Sequence, residues 1–265
     1  GVFENVTDGV SLDGGNIGYP PETFVSASAD FNNDGYDDLL LYVRGWPSQG
    51  PYLLGHTLLL NVRGEGMVDA TALSNLNNPL LSELAVTAPG SYNHSLVVGT
   101  LAEEGAKAIN ASSLFCRVAA YYHDIGKMNK PDYYVENQRG HNPHDKLSPS
   151  MSALIIASHV KDGIRLAREA GLPEQLVDII PQHHGTKLMT YFYEKARNSS
   201  DPSLGPIKEE DFRYPGPKPD TREAAIFMLA DAVEAAARTV EDPTPNRLRD
   251  MIQKVTNSVV LDGQL

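Results

Sequence analysis

The spacing of apolar residues changes at about residue 75. Before that point, short apolar runs at 24–29, 39–43 and 57–62 alternate with clusters of Gly, Pro, Asn and Asp, which predicts strands joined by turns. After it, apolar residues recur with a helical period. This pattern predicts helices at 91–109, 113–122, 148–170, 173–183, 187–197, 221–239 and 245–258. We therefore expect a small β-rich segment over residues 1–72 and a mainly α domain, a helical bundle, over residues 73–265.

The distribution of charge agrees with this boundary. Residues 1–72 hold ten acids and two bases, a net charge of -8, whereas the whole 265-residue chain has a net charge of -12, which leaves -4 for the remainder. A chain this acidic is a poor ligand for duplex DNA or RNA, whose phosphates need a basic surface. We also expect neither a signal peptide nor a membrane span, because no run of about 18 apolar residues occurs.

An acidic loop in the first segment has the spacing of a calcium site. Side-chain oxygens alternate along residues 30–38, and a hard cation such as calcium takes six to eight oxygen ligands. The alternative is a solvated turn rich in Asn and Asp. The stretches "DFNNDGYDDLLLY" and "LLLNVRGEG" resemble an FG-GAP or VCBS repeat, a propeller-blade unit of many extracellular proteins. The resemblance implies calcium held by Asp30, Asn32, Asp34, the Tyr36 carbonyl and Asp38.

Seven of the eight histidines lie in the second domain, and several of them, together with Asp124 and Asp231, lie in or beside its predicted helices. A helical bundle can bring such side chains together in its core, where each unsatisfied polar group would cost about 1 to 3 kcal/mol. Seven ligands suit two metal ions if one carboxylate bridges them, and Asp124 is the natural bridge. Two such ions can clamp a phosphoryl oxygen, which points to phosphoester hydrolysis. The candidate ligands are His94, His123, Asp124, His159, His183, His184 and Asp231.

The ligand types narrow the choice of metal. Imidazole and carboxylate suit iron, manganese or zinc, and Cys116, the only cysteine, excludes a cysteine-rich zinc site. On an apolar helical face, Cys116 itself is expected to be a core residue.

Seven sequence blocks in the second domain carry a more specific resemblance. They are "APGSYNHS", "AAYYHDIGK", "NPHDKLSPS", "SALIIASHVKDG", "QHHGT", "FRYPGPKP" and "AIFMLADAVEAA". In this order they resemble the HD-domain phosphohydrolases, and more narrowly the HD domain of the seven-transmembrane HD receptors, the PgpH type of cyclic di-AMP phosphodiesterase. The resemblance covers about residues 72–265.

That family implies hydrolysis of cyclic di-AMP to pApA by a hydroxide that bridges two metal ions, usually iron or manganese. Carried over by position, His94, His123, Asp124 and Asp231 hold one ion. Asp124, His159, His183 and His184 hold the other. The resemblance also places the HD domain in the cytoplasm, as part of a membrane-anchored parent protein, whereas the first segment is typical of an extracytoplasmic region. A homodimer is left open.

Other residues are candidates for contact with the substrate. Lys127 has the position of the lysine in the HDxGK pattern and is predicted to contact a phosphate, with an exposed lysine as the alternative. Arg213, Tyr214 and Lys218, in the Pro- and Gly-rich run before the Asp231 helix, are predicted to line a nucleotide pocket. His141 and His144 are expected at a loop or rim. The tyrosine pairs at 121–122 and 133–134 either stack on adenine or pack between helices.

Alternative functions also fit these residues. One is an HD phosphohydrolase that acts on cyclic di-GMP or on a mononucleotide, although the GYP signature of cyclic di-GMP enzymes is absent. Another is a non-catalytic module that senses a nucleotide or serves calcium-dependent adhesion. The β-rich segment in front of the HD domain has three explanations: a fragment of a longer receptor, a natural fusion, or an artificial joining of two pieces.

Overall fold

The computed structural model describes residues 23–29, 38–43, 55–61, 67–69, 78–199 and 206–265. The first four ranges are strands: β1 (Thr23–Ala29), β2 (Asp38–Val43), β3 (Gly55–Asn61) and β4 (Met67–Asp69). They pair antiparallel in the order β1-β2-β3-β4, with Leu40 opposite Leu58, and the pairing of β1 with β2 shifts between Val25 and Ala27.

The predicted calcium loop lies outside the described residues. Of its five proposed ligands, Asp38 alone belongs to a described element, as the first residue of β2. The calcium site, the likeness to an FG-GAP repeat and the domain boundary near residue 72 therefore remain predictions.

Eight α-helices form the rest of the described chain. In chain order they are α1 (Pro79–Thr87), α2 (Pro89–Ala108), α3 (Ser113–Tyr122), α4 (Pro149–Glu169), α5 (Glu174–Gln182), α6 (Thr190–Arg197), α7 (Arg222–Ala237) and α8 (Pro245–Leu261). Short 3-10 turns at Ile125–Asn129, Pro131–Tyr133, Val135–Asn137 and Pro143–Lys146 connect α3 to α4, and Glu209–Phe212 precedes α7. The fold is that of a mainly helical domain.

Local sequence explains most of the helix starts. Proline is the first residue of α1, α2, α4 and α8, where a missing N–H costs nothing. The side chains of Asn78, Ser148, Thr221 and Thr244 accept hydrogen bonds from backbone N–H groups in the first turns of α1, α4, α7 and α8. These caps agree with the predicted starts to within two residues for α2, α4, α7 and α8.

Two helix boundaries differ from the prediction by three residues, and one helix was not predicted. The helix predicted from residue 187 begins at Thr190, because residues 187–189 instead pair with the segment before α7: the N–H of Met189 donates to the Phe212 carbonyl and that of Tyr214 to the Lys187 carbonyl. Helix α8 continues three residues beyond its predicted end and stops before Gly263, which has a positive φ of 64°. Helix α1 had no predicted counterpart.

The main hydrophobic core lies where α1, α2, α3, α5 and α7 meet. Its fully buried side chains include Leu81, Leu84, Tyr122, Ile180 and Phe227. The same helices carry most of the candidate metal ligands, so the core holds them at fixed positions. Within the described residues, no helix combines the length and the apolar character needed to cross a membrane.

Candidate metal centre

The sequence His123-Asp124 occupies the junction between α3 and the 3-10 turn Ile125–Asn129. His123 caps the C-terminus of α3, and Asp124 precedes the turn. This turn lies directly against α4: a Cβ placed on Gly126 would lie 1.9 Å from the His159 carbonyl oxygen and 2.5 Å from the Gly163 nitrogen. Close backbone approach therefore brings Asp124 to the middle of α4, where His159 lies.

The two oxygens of Asp124 face two different pairs of histidines. Oδ2 lies 3.5 Å from Nε2 of His94 and 3.2 Å from Nε2 of His123. Oδ1 lies 3.6 Å from Nε2 of His159 and 3.8 Å from Nε2 of His183. Asp124 thus has the geometry of a carboxylate that can serve two ions at once.

Asp231, on α7, also contacts both groups of histidines. Its Oδ1 lies 3.0 Å from Nε2 of His94 and 3.7 Å from Nε2 of His123, and its Oδ2 lies 3.7 Å from Nδ1 of His184. The ring of Tyr214 stacks on His184, with their centroids 4.1 Å apart. All seven predicted ligands are therefore brought together at one place between α2, α3, α4, α5 and α7.

Most of the histidines are oriented by backbone carbonyls one turn earlier. Nδ1 of His123, His159 and His183 lies 2.7, 2.6 and 2.5 Å from the carbonyl oxygens of Ala120, Ile156 and Ile180, respectively. In the neutral form of each ring, Nδ1 therefore carries the proton and Nε2 presents its lone pair to the centre. Local helix geometry alone thus prepares three ligands.

His94 is oriented by a side chain that was not among the predicted site residues. Its Nδ1 lies 2.5 Å from Oε2 of Glu234, one turn beyond Asp231 on α7. The other oxygen of Glu234 accepts hydrogen bonds from Nε and Nη2 of Arg238, at 2.9 and 2.7 Å. A carboxylate behind a ligand histidine is a frequent feature of metal sites.

The pKa values divide the histidines into two groups. Burial lowers the pKa of His159 and His184 and takes that of His183 to about 3, so these three rings are neutral. Burial also acts on His94 and His123, but the nearby carboxylates outweigh it: the pKa of His94 is raised by Asp231 and Glu234, and that of His123 reaches about 10 beside Asp124.

The pKa of the Asp124 carboxyl group is lowered by its neighbours. Burial would raise the pKa of Asp124, but His123 and Lys127 hold it well below its ordinary value. The side chain is therefore an ionised, fully buried carboxylate.

Buried atoms without hydrogen bonds show that this donor set fits metal ions. Among the described residues, neither oxygen of Asp124 nor Nε2 of His123 has a hydrogen-bond partner of acceptable geometry, although the Lys127 ammonium lies 2.7 Å from Asp124 Oδ2. Ligand atoms of His94, His123 and Asp124 lie within 4.8 Å of one another, as do those of His159, His183 and His184. Nitrogen and carboxylate ligands of this kind suit first-row transition metals.

Lys127 lies between two carboxylates at the edge of this centre. Its ammonium is 2.7 Å from Asp124 Oδ2 and 2.7 Å from Oε1 of Glu136, and it lies 5.2 Å from the centroid of the Tyr134 ring. Glu136 in turn accepts a hydrogen bond from the Ser91 hydroxyl at 2.9 Å. Lys127 is 12% exposed, so it belongs to the buried site rather than to the free surface.

A cavity of about 430 Å³ opens beside the metal ligands. Its walls include the aromatic residues Tyr133, Tyr134, Tyr191 and Phe192, together with His94, Lys127, His159, His184, Tyr214 and Asp231. His144, expected at a loop or rim, is buried in this wall, whereas His141 is exposed. Of the two tyrosine pairs, 133–134 lines the cavity and 121–122 is buried in the helical core. A cavity of this size and polarity can hold a nucleotide.

The three predicted pocket residues before α7 have different surroundings. Tyr214 lines the cavity. Arg213 instead donates two hydrogen bonds to the carboxylate of Asp262, at 3.0 and 3.2 Å, and one to the Thr186 carbonyl. Lys218 donates to the Gly263 carbonyl at 2.7 Å. Arg213 and Lys218 thus hold the residues that follow α8, and neither is part of the cavity wall.

The segment after α8 supports the turn that carries His183 and His184. The amide oxygen of Gln264, which is 2% exposed, accepts a hydrogen bond from the Thr186 N–H at 2.9 Å. Gln264, Glu136, Glu234 and Arg238 were not predicted as site residues. A signal was available for Glu234 and Arg238, which lie three and seven residues after Asp231 and therefore on the same face of the predicted helix.

Comparison with known proteins agrees with this geometry. The HD domain family matches residues 91–236, which is more than half of the chain. The chain belongs to the HD domain family. The match extends from α2 to the end of α7 and includes all seven candidate ligands.

Named relatives share most of the helical region. The chain is 48% identical over 193 residues to the cyclic-di-AMP phosphodiesterase PgpH of Bacillus subtilis, which is 72% of this chain and 27% of that protein. It is 47% identical over 193 residues to PgpH of Listeria monocytogenes, covering 72% and 26% of the two chains. It thus spans about a quarter of the length of these curated relatives.

A solved structure is similar to this chain in both fold and sequence. The crystal structure of the L. monocytogenes PgpH HD domain in complex with cyclic di-AMP superimposes with a TM-score of 0.67 and is 47% identical. The superposition covers 72% of this chain and 88% of that one.

Proposed function

We propose that this chain is a metal-dependent phosphodiesterase that hydrolyses a cyclic dinucleotide, with cyclic di-AMP as substrate and pApA as product. The observation that carries the proposal is the arrangement around Asp124, whose two buried, ionised oxygens face two separate pairs of histidines. The similarity to two PgpH phosphodiesterases and to an HD domain crystallised with cyclic di-AMP supports the choice of substrate.

Each ligand has a proposed place in one of two metal sites. His94, His123, Asp124 and Asp231 hold one ion, and Asp124, His159, His183 and His184 hold the other. Iron or manganese is the proposed metal. Two ions in these positions would supply an activated water and positive charge beside the phosphoryl oxygens.

The protein's own residues then bind and orient the phosphodiester. Lys127 has three N–H donors; one donates to Glu136, and the ammonium lies 2.7 Å from Asp124 Oδ2, which leaves a donor for a phosphate oxygen. Tyr214 stacks on His184 and keeps that ring in place at the cavity wall. Hydrolysis adds water across one P–O3′ bond: the oxygen goes to phosphorus and the proton to the departing 3′ oxygen, which yields the linear dinucleotide.

The first test is elemental analysis of protein purified without oxygen, followed by incubation with cyclic di-AMP and cyclic di-GMP in added manganese and chromatography of the products. We expect about two transition-metal ions per chain and pApA from cyclic di-AMP. If cyclic di-GMP alone is hydrolysed, cyclic di-GMP and not cyclic di-AMP is the substrate. Absence of bound transition metal would refute both the metal sites and the proposed activity.

A matched pair of variants makes this test specific. Asp124→Asn removes the proposed bridging charge, whereas His141→Ala removes an exposed histidine outside both groups of ligands. We expect metal content and hydrolysis to fall in the first variant and to stay at the wild-type level in the second. The expected cytoplasmic location and the homodimer remain predictions.

A further inference from the structure

Two residues with a permanent positive charge line the cavity, Lys127 and Arg238. They differ in how their charge is used. Lys127 is 12% exposed and touches two carboxylates, one of them the proposed bridge between the ions. Arg238, at the C-terminal end of α7, is 36% exposed and touches one carboxylate, Glu234.

The guanidinium of Arg238 retains hydrogen-bonding capacity. Its Nε and Nη2 both donate to the same oxygen, Oε1 of Glu234. Among the described residues, its Nη1 has no hydrogen-bond partner, and the side chain reaches both the cavity and solvent. A guanidinium fixed on one edge by a carboxylate is well prepared to bind an oxyanion with its remaining N–H groups.

Arg238 lies close to the metal ligands without contacting the metal-facing atoms. Glu234 and the imidazole of His94 separate the guanidinium from the metal-facing nitrogen of His94. An anion bound by Arg238 would therefore lie in the same cavity as the metal centre and apart from it. A cyclic dinucleotide has two phosphodiester groups, and one of them occupies the metal centre during hydrolysis.

We propose that Arg238 binds the second, unreacted phosphate of the cyclic dinucleotide and so selects substrates that carry two phosphodiester groups. This inference rests on the proposed function. The lining of the same cavity also includes the carboxylates of Glu136, Asp231 and Glu234, which disfavour a second anionic group unless a fixed positive charge lies beside it.

The test compares two substrates, cyclic di-AMP and bis(p-nitrophenyl) phosphate, which has a single phosphodiester. The readout is the ratio of the two kcat/KM values in manganese-loaded enzyme, together with metal content. For Arg238→Gln we expect this ratio to fall roughly 10- to 100-fold through a higher KM for cyclic di-AMP, the usual effect of losing a hydrogen bond to a charged group. Arg238→Lys should lower the ratio less than Arg238→Gln does, because lysine keeps the positive charge but lacks the paired N–H donors of the guanidinium.

Two further variants separate substrate binding from support of the metal site. Glu234→Gln removes the carboxylate behind His94 and should lower metal content and reduce turnover of both substrates. Arg168→Gln, a surface arginine on α4 that pairs with Glu174, matches the change in net charge and should leave the ratio unchanged. An unchanged ratio in Arg238→Gln, or an equal loss on both substrates with reduced metal, would overturn the proposal. Failure of the wild-type enzyme to cleave cyclic di-AMP would instead refute the proposed function and remove the basis of this inference.

Discussion

Replacement of Gly126 by alanine should disturb the metal centre without touching any ligand. Gly126 does not have a positive φ, so its backbone conformation suits any residue and the constraint is steric alone. An added Cβ would lie 1.9 Å from the His159 carbonyl oxygen, whereas ordinary contact begins at 3.4 Å. The turn or α4 must therefore move by about 1.5 Å, well beyond the roughly 0.5 Å tolerance of a catalytic site.

The energetic and functional effects follow from this displacement. Overpacking costs about 1 to 3 kcal/mol, and a backbone-to-backbone contact belongs at or above the top of that range because neither side can change rotamer. We expect urea denaturation to show this loss in the free energy of unfolding. Metal analysis should show loss of the ion proposed to be held by His159, His183 and His184, and the proposed hydrolysis of cyclic di-AMP should fall by about 100-fold or more.

Gly99→Ala is the matched control. Gly99 lies within α2, and its added Cβ would make contacts of 3.4 Å, so alanine should be neutral or stabilise the helix by up to about 1 kcal/mol. If Gly126→Ala kept both the wild-type stability and the second ion, close approach of the turn to α4 would not be what positions Asp124 beside His159.

Three further predictions concern other parts of the described chain. Asp124→Asn should reduce metal content and lower turnover by more than the roughly 100-fold that changes behind a ligand cost, with an unchanged far-UV circular dichroism spectrum; retention of both ions would argue against a bridging role. Burial raises the pKa of Cys116 to about 12, so at pH 8 only about one thiol in ten thousand is ionised, and a thiol reagent should react after unfolding and not before; rapid reaction of the native protein would contradict this burial. Arg213→Gln should lower the free energy of unfolding by roughly 1 to 3 kcal/mol in urea denaturation, because it breaks the paired hydrogen bonds to Asp262; Arg168→Gln, at an exposed ion pair, should have little effect, and equal results for the two would remove any special role for the Asp262 contact.

Elements with local determinants were predicted well. Helices α2, α4, α7 and α8 begin close to their predicted residues because proline and capping side chains act within one turn of the chain. The start of α6 was misplaced because residues 187–189 pair with the segment before α7, a contact that local periodicity does not encode.

That the proposed metal ligands lie together could also be predicted from sequence, for a different reason. His94, His123, His159 and Asp231 are polar side chains on or at the ends of helices rich in small and apolar residues, and such positions require partners when buried. The resemblance to HD-domain enzymes then assigned them to two ions. Four of the five proposed calcium ligands of the first segment lie outside the described residues, so their arrangement remains a prediction.

Sequence by itself therefore determined where most of the helices begin and which residue types the centre contains, since both depend on interactions within a few residues. Tertiary structure decided the rest. It placed Asp124 between two pairs of histidines, put Glu234 and Arg238 behind His94, and directed Arg213 and Lys218 to residues 45 to 49 positions away after α8. These arrangements arise from the packing of helices against one another and from backbone contacts such as that of Gly126 with α4, which depend on distances between segments far apart in the chain.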